Sequence, residues 1–342
     1  MHTKITKNLR LQTLLLLIIL LLIIYAKSMS ASAAVTLEIT VSTDKQKYGL
    51  SQNVYINGTL KWQPYNIPVT NALVGIEIRD PANLPFTIRT RPTGTITSEN
   101  WLVNYTQLFP CDSNGYPKYN FKSGANLYIF FEIKNFDTIN SHTVITCITV
   151  FDANNIPIGS WYPLTTTLEP NDSKSVLFPA DKIPSWAALG NATIYANAYT
   201  DFPKNGGYPY CPEKTATFTI TSSTSSSSTS SLIQYTETLN GTYELSFQLP
   251  KTDVRIGNYT VYVSAYSEGQ IATTNKTFKV VLIGDINGDK VVDIFDAILM
   301  STSFGSKNGD PNWNPNADLD NSGEIDIFDA IILSSHFGEE AL

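Results

Sequence analysis

From Val35 onward, apolar and polar residues alternate in short runs separated by Gly, Pro and Asn. Val35-Thr-Leu-Glu-Ile-Thr-Val41, Val54-Tyr-Ile-Asn57, Val74-Gly-Ile-Glu-Ile78, Leu127 to Ile133, Val144 to Phe151, Ala192 to Ala198 and Tyr259 to Ala265 all follow a period of two. A strand points successive side chains to opposite faces, so this period predicts half-buried β-strands. No amphipathic helical stretch interrupts residues 35–283. Regular short strands with turn signals predict a mainly β chain with two Ig-like sandwiches. After residue 283 the pattern changes to acidic loops, each followed by a short apolar helical pattern.

The N-terminus follows neither pattern. Lys4, Lys7 and Arg10 precede an apolar run from Leu14 to Ala26, and Ala31-Ser32-Ala33 offers a small-x-small cleavage site. This order predicts a signal peptide over residues 1–33. The run falls short of the roughly 20 residues that span a bilayer; the rival reading is an uncleaved anchor. Either reading makes the rest secreted or cell-surface. Membrane contact is expected only through this segment. Seven Asn-x-Ser/Thr sequons follow, at Asn57, Asn104, Asn171, Asn191, Asn240, Asn258 and Asn275. An Asn- and Ser/Thr-rich chain carries about that many by chance, so they permit glycosylation without arguing for it.

Two β blocks separate. Thr43-Asp-Lys-Gln-Lys-Tyr48, Val54-Tyr-Ile-Asn-Gly58 and Ala72-Leu-Val-Gly-Ile-Glu-Ile-Arg-Asp-Pro81 open one of them. This stretch resembles the macroglobulin-type Ig-like domain of cell-surface proteins. The resemblance implies a closing stretch, and one stands far downstream: Gly241-Thr-Tyr243, Phe247-Gln-Leu-Pro250 and Gly257-Asn-Tyr-Thr-Val-Tyr-Val-Ser-Ala265. The expected arrangement is therefore a discontinuous sandwich of residues 34–97 and 232–281, with a second sandwich inserted at 98–221. The alternative is three sequential domains. Residues 222–231, almost wholly Ser and Thr, read as a tether.

Charge sharpens the division. Only 15% of the 342 residues are charged, against about 25% in ordinary domains. Residues 284–342 hold 2 of the 23 basic and 12 of the 30 acidic groups, a net of −10, which leaves +3 for the rest. A basic footprint for nucleic acid is missing, so no nucleic-acid partner is expected. With three His in the chain, His-based metalloenzymes and Ser-His-Asp hydrolases are poor candidates.

The acidic block contains a repeat at a spacing of 33. Asp293-Ile-Phe-Asp-Ala-Ile298 recurs as Asp326-Ile-Phe-Asp-Ala-Ile331, and Phe304-Gly305 as Phe337-Gly338. Each copy ends a 12-residue loop with oxygen groups at positions 1, 3, 5, 9 and 12, the spacing that wraps a Ca²⁺ ion. In the first loop the candidate ligands are Asp285, Asn287, Asp289, the Val291 carbonyl, Asp293 directly or through water, and Asp296. In the second they are Asp318, Asp320, Ser322, the Glu324 carbonyl, Asp326 and Asp329. Two calcium ions are the expected cofactors. Val292 and Ile325, at position 8, are expected to pair across the loops. Ile294, Ala297, Ile298 and Ser301 share a helical stripe, and Gly305 and Gly338 read as left-handed helix terminators.

Duplicated loop–helix units with Asp at position 12, and the linker Asp310-Pro-Asn-Trp-Asn-Pro-Asn-Ala-Asp318, closely resemble a dockerin module. The resemblance covers about residues 284–338 and implies a small α-helical, Ca²⁺-dependent plug for a cohesin-like domain, often in polysaccharide-degrading assemblies. One departure is Lys290 at position 6, where Gly is usual; Gly323 keeps the pattern. A Lys held left-handed costs about 1–2 kcal/mol, so the first site is expected to be the weaker. The resemblance assigns partner choice to positions 10 and 11, here Ile294, Phe295, Ile327 and Phe328. They serve either as a twofold docking surface or as packing for a tiny core.

Such modules often accompany glycosidases, which need two carboxylates about 5–9 Å apart in a cleft. The scattered acids Glu77, Asp80, Glu132, Asp152 and Glu213 read as sandwich edges and turns, so no enzyme is expected. The alternative function is a carbohydrate-binding or accessory subunit of a glycoside-hydrolysing complex, with polysaccharide as partner through Trp101, Trp161, Trp186 or Tyr208 and Tyr210. Cys111 and Cys211 lie in turn-like contexts and Cys147 within a strand. A Cys111–Cys211 disulfide with Cys147 a buried thiol is expected; the rival is free thiols.

Overall fold

The computed structural model describes residue 18 and residues 34–96, 100–222 and 240–342. Apart from Ile18 and Ser222, the expected signal segment and tether lie outside the described residues. The chain is mainly β, with 51% strand and 8% helix, and its sheets curl into sandwich-like halves.

The strands run β1 (Thr36–Ile39), β2 (Ser42–Thr43), β3 (Lys47–Gly49), β4 (Asn53–Gln63), β5 (Ile67–Pro68), β6 (Leu73–Arg79) and β7 (Pro85–Pro92). Next come β8 (Val103–Cys111), β9 (Asn120–Lys122), β10 (Asn126–Asn135), β11 (His142–Phe151), β12 (Pro157–Leu168), β13 (Ser173–Lys182), β14 (Gly190–Tyr199) and β15 (Lys214–Thr221). Last are β16 (Thr242–Gln248), β17 (Gly257–Ser267) and β18 (Gln270–Val281), then helices α1 (Ile294–Ser303) and α2 (Ile327–Ser335).

Early and late strands share sheets. β4 pairs with β1, β2, β5 and β16, placing Ile56 opposite Leu245 and Val54 opposite Phe247. The facing sheet runs β3-β18-β17-β6-β7. Between them lies a core that includes Val54, Ile56, Leu60, Tyr243, Phe247, Val261 and Phe278. At Gly58 a Cβ would lie 1.9 Å from the Thr40 carbonyl oxygen, so only glycine lets β4 pass there. Residues 100–222 make two further sheets, β13-β10-β8 and β12-β11-β14-β15-β9, around Phe131, Ile133, Ile148, Ile194 and Phe218.

The alternation in β6 implies one wet face, yet every residue from Leu73 to Arg79 is buried. The second face of the β6–β7 sheet is covered by β11, β12 and β14. Most polar groups there are matched within the interface, while Thr87 Oγ1 and Asn197 Oδ1 are buried without a hydrogen-bond partner. Arg89, fully buried, makes bonds of 2.7 and 2.9 Å to the two Glu213 carboxylate oxygens, and its guanidinium lies 3.3 Å over the Tyr195 ring. Arg79 Nε donates to Glu77 at 2.6 Å. Tyr199 Oη donates to the Arg89 carbonyl, and Thr149 Oγ1 to that of Ile88. Glu77, within β6, and Glu213, in the loop before β15, are thus buried ion-pair partners. Burial pushes the Glu213 carboxyl up, but Arg89 and Arg91 more than offset this and hold it below the usual range.

The expected Cys111–Cys211 disulfide is not formed; all three cysteines are free and buried. Cys211 sits against the backbone of Tyr105. Cys111 lies six residues further along β8, about 20 Å away at the rise of a strand, whereas a disulfide needs Cα atoms within about 7 Å. Burial pushes the Cys111 thiol up to about 11 and the Cys211 thiol up to about 12.

Candidate metal centre and docking face

β18 leads directly into the first acidic loop, with Gly284 left-handed at the join. Both loops then close on themselves through the same bonds. Asp296 Oδ1 accepts from the backbone N–H groups of Ile286 (2.7 Å) and Asn287 (3.1 Å), and Oδ2 from Asp293 (2.8 Å). Asp329 accepts in the same way from Leu319 (2.7 Å), Asp320 (3.2 Å) and Asp326 (2.8 Å). Position 12 therefore ties together positions 2, 3 and 9 of its own loop.

At the opening end, Asp285 accepts from the N–H groups of Gly288, Asp289 and Lys290, and Asp318 from those of Ser322 and Gly323. These bonds curl the chain toward one point. The curl needs a left-handed residue at position 6: Lys290 has φ +73° and Gly323 +86°. The lysine occupies that conformation despite its Cβ.

Asp293 and Asp326 also have a helical task. Each is the N-cap of its helix, accepting from Phe295 N or Phe328 N at 2.8 Å, and Asp296 or Asp329 completes a capping box. The loop and its exiting helix are therefore fixed by the same aspartates.

The second loop gathers its acids most closely. Asp318, Asp320 and Asp329 each bring a carboxylate oxygen within 4.8 Å of the others. Ser322 Oγ, at position 5, donates to the Glu324 carbonyl, at position 7, at 2.9 Å. In the first loop Asn287 stands where the second has Asp320, and its amide donates to Asp289 Oδ2 at 2.8 Å. Both donor sets are all-oxygen, which suits a hard cation such as Ca²⁺. A bound Ca²⁺ would supply the positive charge that holds these carboxylates together.

Val292 and Ile325 are both fully buried in a small core with Ile286, Met300, Ala317 and Leu333. They share this core across the two loops, with no backbone hydrogen bond between them among the described residues. Instead each binds the segment that follows the other unit's helix. Gly305 N donates to Ile325 O (2.8 Å), Ile325 N to Ser306 O (2.9 Å) and Asn308 N to Gly323 O (3.0 Å). Thirty-three residues away, Gly338 N donates to Val292 O (2.7 Å), Val292 N to Glu339 O (2.9 Å) and Ala341 N to Lys290 O (3.0 Å). The module has a pseudo-twofold exchange, and residues 339–341 complete the first loop. The sequence reading missed this strap. Its signal is the repeat itself, since Ser306-Lys307-Asn308 is aligned with Glu339-Glu340-Ala341 by spacing but not by residue type. Gly305 and Gly338 do adopt positive φ, +79° and +81°.

The core-packing reading of positions 10 and 11 fails. Ile294 is 57% exposed, Phe295 60%, Ile327 58% and Phe328 62%. The helical stripe with Ile298 also points outward, and the buried side carries Asp296, Met300 and Ser303 instead. Ile331, Phe304 and Phe337 extend the exposed apolar surface. Two matching faces result, neither covered by the sandwiches.

Residues 283–338 match the family model of the dockerin type I domain. The chain carries a dockerin. Dockerin type I domains bind calcium, and a dockerin implies a cohesin partner in assemblies of the cellulosome type, which are extracellular. No curated protein matches the chain.

Among solved structures, the C-terminal domain of wzt is 9% identical at TM-score 0.30, covering 42% of this chain and 93% of that one. The Pseudomonas fluorescens alkylpurine DNA glycosylase AlkC, bound to DNA containing an abasic site analog, is 7% identical at TM-score 0.27, covering 35% and 31%. The Bacteroides uniformis β-glucuronidase is 9% identical at TM-score 0.28, covering 49% and 26%. The chain thus spans about a third of the glycosylase and a quarter of the glucuronidase. None of these likenesses carries function to the regions around the dockerin.

Proposed function

We propose that this chain is a non-catalytic extracellular docking protein. Residues 1–33 direct it out of the cytoplasm. The dockerin takes up two calcium ions, one in each loop, and docks to a cohesin-type domain in a polysaccharide-degrading or adhesive assembly. Residues 34–97 and 232–281 form a host sandwich, 98–221 an inserted one, and together they act as the cargo or spacer that the dockerin attaches.

The observation that carries this reading is the pair of exposed Ile-Phe faces, each anchored by its own capping aspartates to a calcium-type loop. A face that exists twice lets either helix engage a partner. Without metal, the acids of each loop repel one another, so calcium controls whether the faces are presented. The non-catalytic reading is supported by the buried ion pairs, in which Glu77 and Glu213 are held by arginines.

The test is capture of the full chain on immobilised cohesin domains of several specificities. Binding with calcium and its loss on chelation are expected. Equal capture with and without chelator would sink the mechanism, and turnover of a glycan by the purified chain would overthrow the non-catalytic assignment.

A further inference from the structure

At one end of the junction between the two sandwiches lies a cleft of about 340 Å³. Its walls come from both. The inserted sandwich supplies Asn100, Trp101, His142, Tyr208 and Tyr210, and the host supplies Tyr266 from β17. No Asp, Glu, Lys or Arg lines it among the described residues.

The aromatic groups are held in place. Tyr208 and Tyr266 stack across the junction, centroids 4.6 Å apart and planes 16° from parallel. Tyr266 is 43% exposed, so this pair presents ring surface to solvent. Tyr208 exchanges backbone and hydroxyl bonds with Thr200, and Tyr210 N donates to the Ala198 carbonyl, which pins the loop back on β14. Gly207 makes the turn possible, because a Cβ there would lie 1.8 Å from the Asp201 carbonyl oxygen. The Tyr210 hydroxyl donates to the Thr143 carbonyl at 2.9 Å, and its ring meets His142 edge-on at 5.6 Å. His142 Nε2 lies 3.0 Å from Asp137 Oδ2. Trp101 packs partly into the inserted core.

Neither Trp161 nor Trp186 belongs to this cleft. Trp161 packs on Phe178 with its Nε1 donating to Asp181, and Trp186 donates to Asp253.

We propose that this cleft binds an uncharged oligosaccharide segment. Small-ligand sites are concave, concentrate at domain junctions and combine apolar walls with a few polar groups. Here the walls are aromatic ring faces and the polar groups are amide, imidazole and phenol, none of them an acid or an ammonium. That set matches a ligand with apolar C–H faces bordered by hydroxyls and no net charge. A proline-rich peptide would also use the rings, but it would leave the Asn100 amide, which offers both a donor and an acceptor, unmatched. The cleft lies outside the dockerin, so glycan binding is independent of calcium and of cohesin.

The test is affinity electrophoresis of the full chain through gels containing hydroxyethyl cellulose, xyloglucan, galactomannan or xylan. Polygalacturonate gels and a proline-rich peptide titration serve as comparators. Retardation by at least one neutral glycan is expected, unchanged by chelator. Tyr266→Ala, an exposed site whose loss opens no core, should weaken it by about tenfold, the scale of an aromatic anchor. Tyr65→Ala, 63% exposed in another turn, should not. Unretarded migration in every neutral gel, equal retardation of the Tyr266→Ala variant, or binding only of the polyanion or the peptide would each overturn the assignment. Chelator-sensitive retardation would do so as well, by moving the site to the dockerin.

Discussion

Deleting Glu339–Leu342 removes residues beyond the 283–338 dockerin match, yet it should damage one calcium loop selectively. The deletion takes away the Val292 N–H to Glu339 bond and the Ala341 N–H to Lys290 bond, at 2.9 and 3.0 Å. Each is worth about 1 kcal/mol net, so the first loop loses about 2 kcal/mol, or roughly 30-fold in calcium affinity. The equivalent bonds of the second loop, Ile325 N–H to Ser306 and Asn308 N–H to Gly323, are untouched. Calorimetric titration of calcium into the metal-free full chain should therefore show one unchanged site and one weakened site. The deletion also removes two carboxylates. A Glu339→Gln/Glu340→Gln variant, which keeps the strap's backbone, separates charge from closure and should stay close to the parent. Equal weakening of both sites, or none of either, would refute the exchange as the cause.

Three further outcomes follow from the same geometry. Asp329→Ala should abolish calcium binding at the second loop and lower helical circular dichroism, because the N–H groups of Leu319, Asp320 and Asp326 lose their acceptor, at about 1–3 kcal/mol for each one left buried and unmatched. Replacing Ile294 and Phe295 with Ala and Asp should leave cohesin capture nearly intact, as should the same change at Ile327 and Phe328; the combined variant should lose it, as read by surface plasmon resonance. Arg89→Ala should destabilise the fold by up to about 3–5 kcal/mol, since it takes away two of the bonds to the buried Glu213 carboxylate and leaves Arg91 as its remaining ion-pair partner. Because Glu213 has a depressed pKa in the folded state, its contribution is complete above the ordinary glutamate value of about 4.3 and lost as pH falls through the lower folded value. Melting temperatures from pH 7 to pH 3 should show that acid loss in the parent and a smaller one in Arg89→Ala.

The legible parts of the sequence were those in which side-chain type and local spacing determine the outcome. Period-two runs marked strands, and the 33-residue repeat aligned both loops down to the left-handed position of Lys290. Three features escaped for different physical reasons. The strap bonds through its backbone, and a carbonyl is the same on Glu339 as on Ser306. The polar face of β6 reads as solvated because alternation shows only that a face is polar, not that a second sandwich covers it. The cysteine pairing failed because turn-like flanks say nothing about the separation of Cys111 from Tyr105 along β8. Ile294 and Phe295 read equally as core or surface, because a helix of ten residues offers both sides to any apolar pair until its packing partner is known.

β18 passes without a spacer from the host sandwich into the dockerin. When a dockerin is held by its partner while the sandwiches are dragged by something bulky, tension enters at Val281 and runs along the strand. β18 is bonded to β17 from Gly257–Val280 through Ser267–Gln270, and at its exit it is paired in parallel with Lys47–Gly49. Force along that axis shears many bonds together rather than opening them one after another. The exit from the sandwich is thus loaded in shear, the geometry in which a strand yields last.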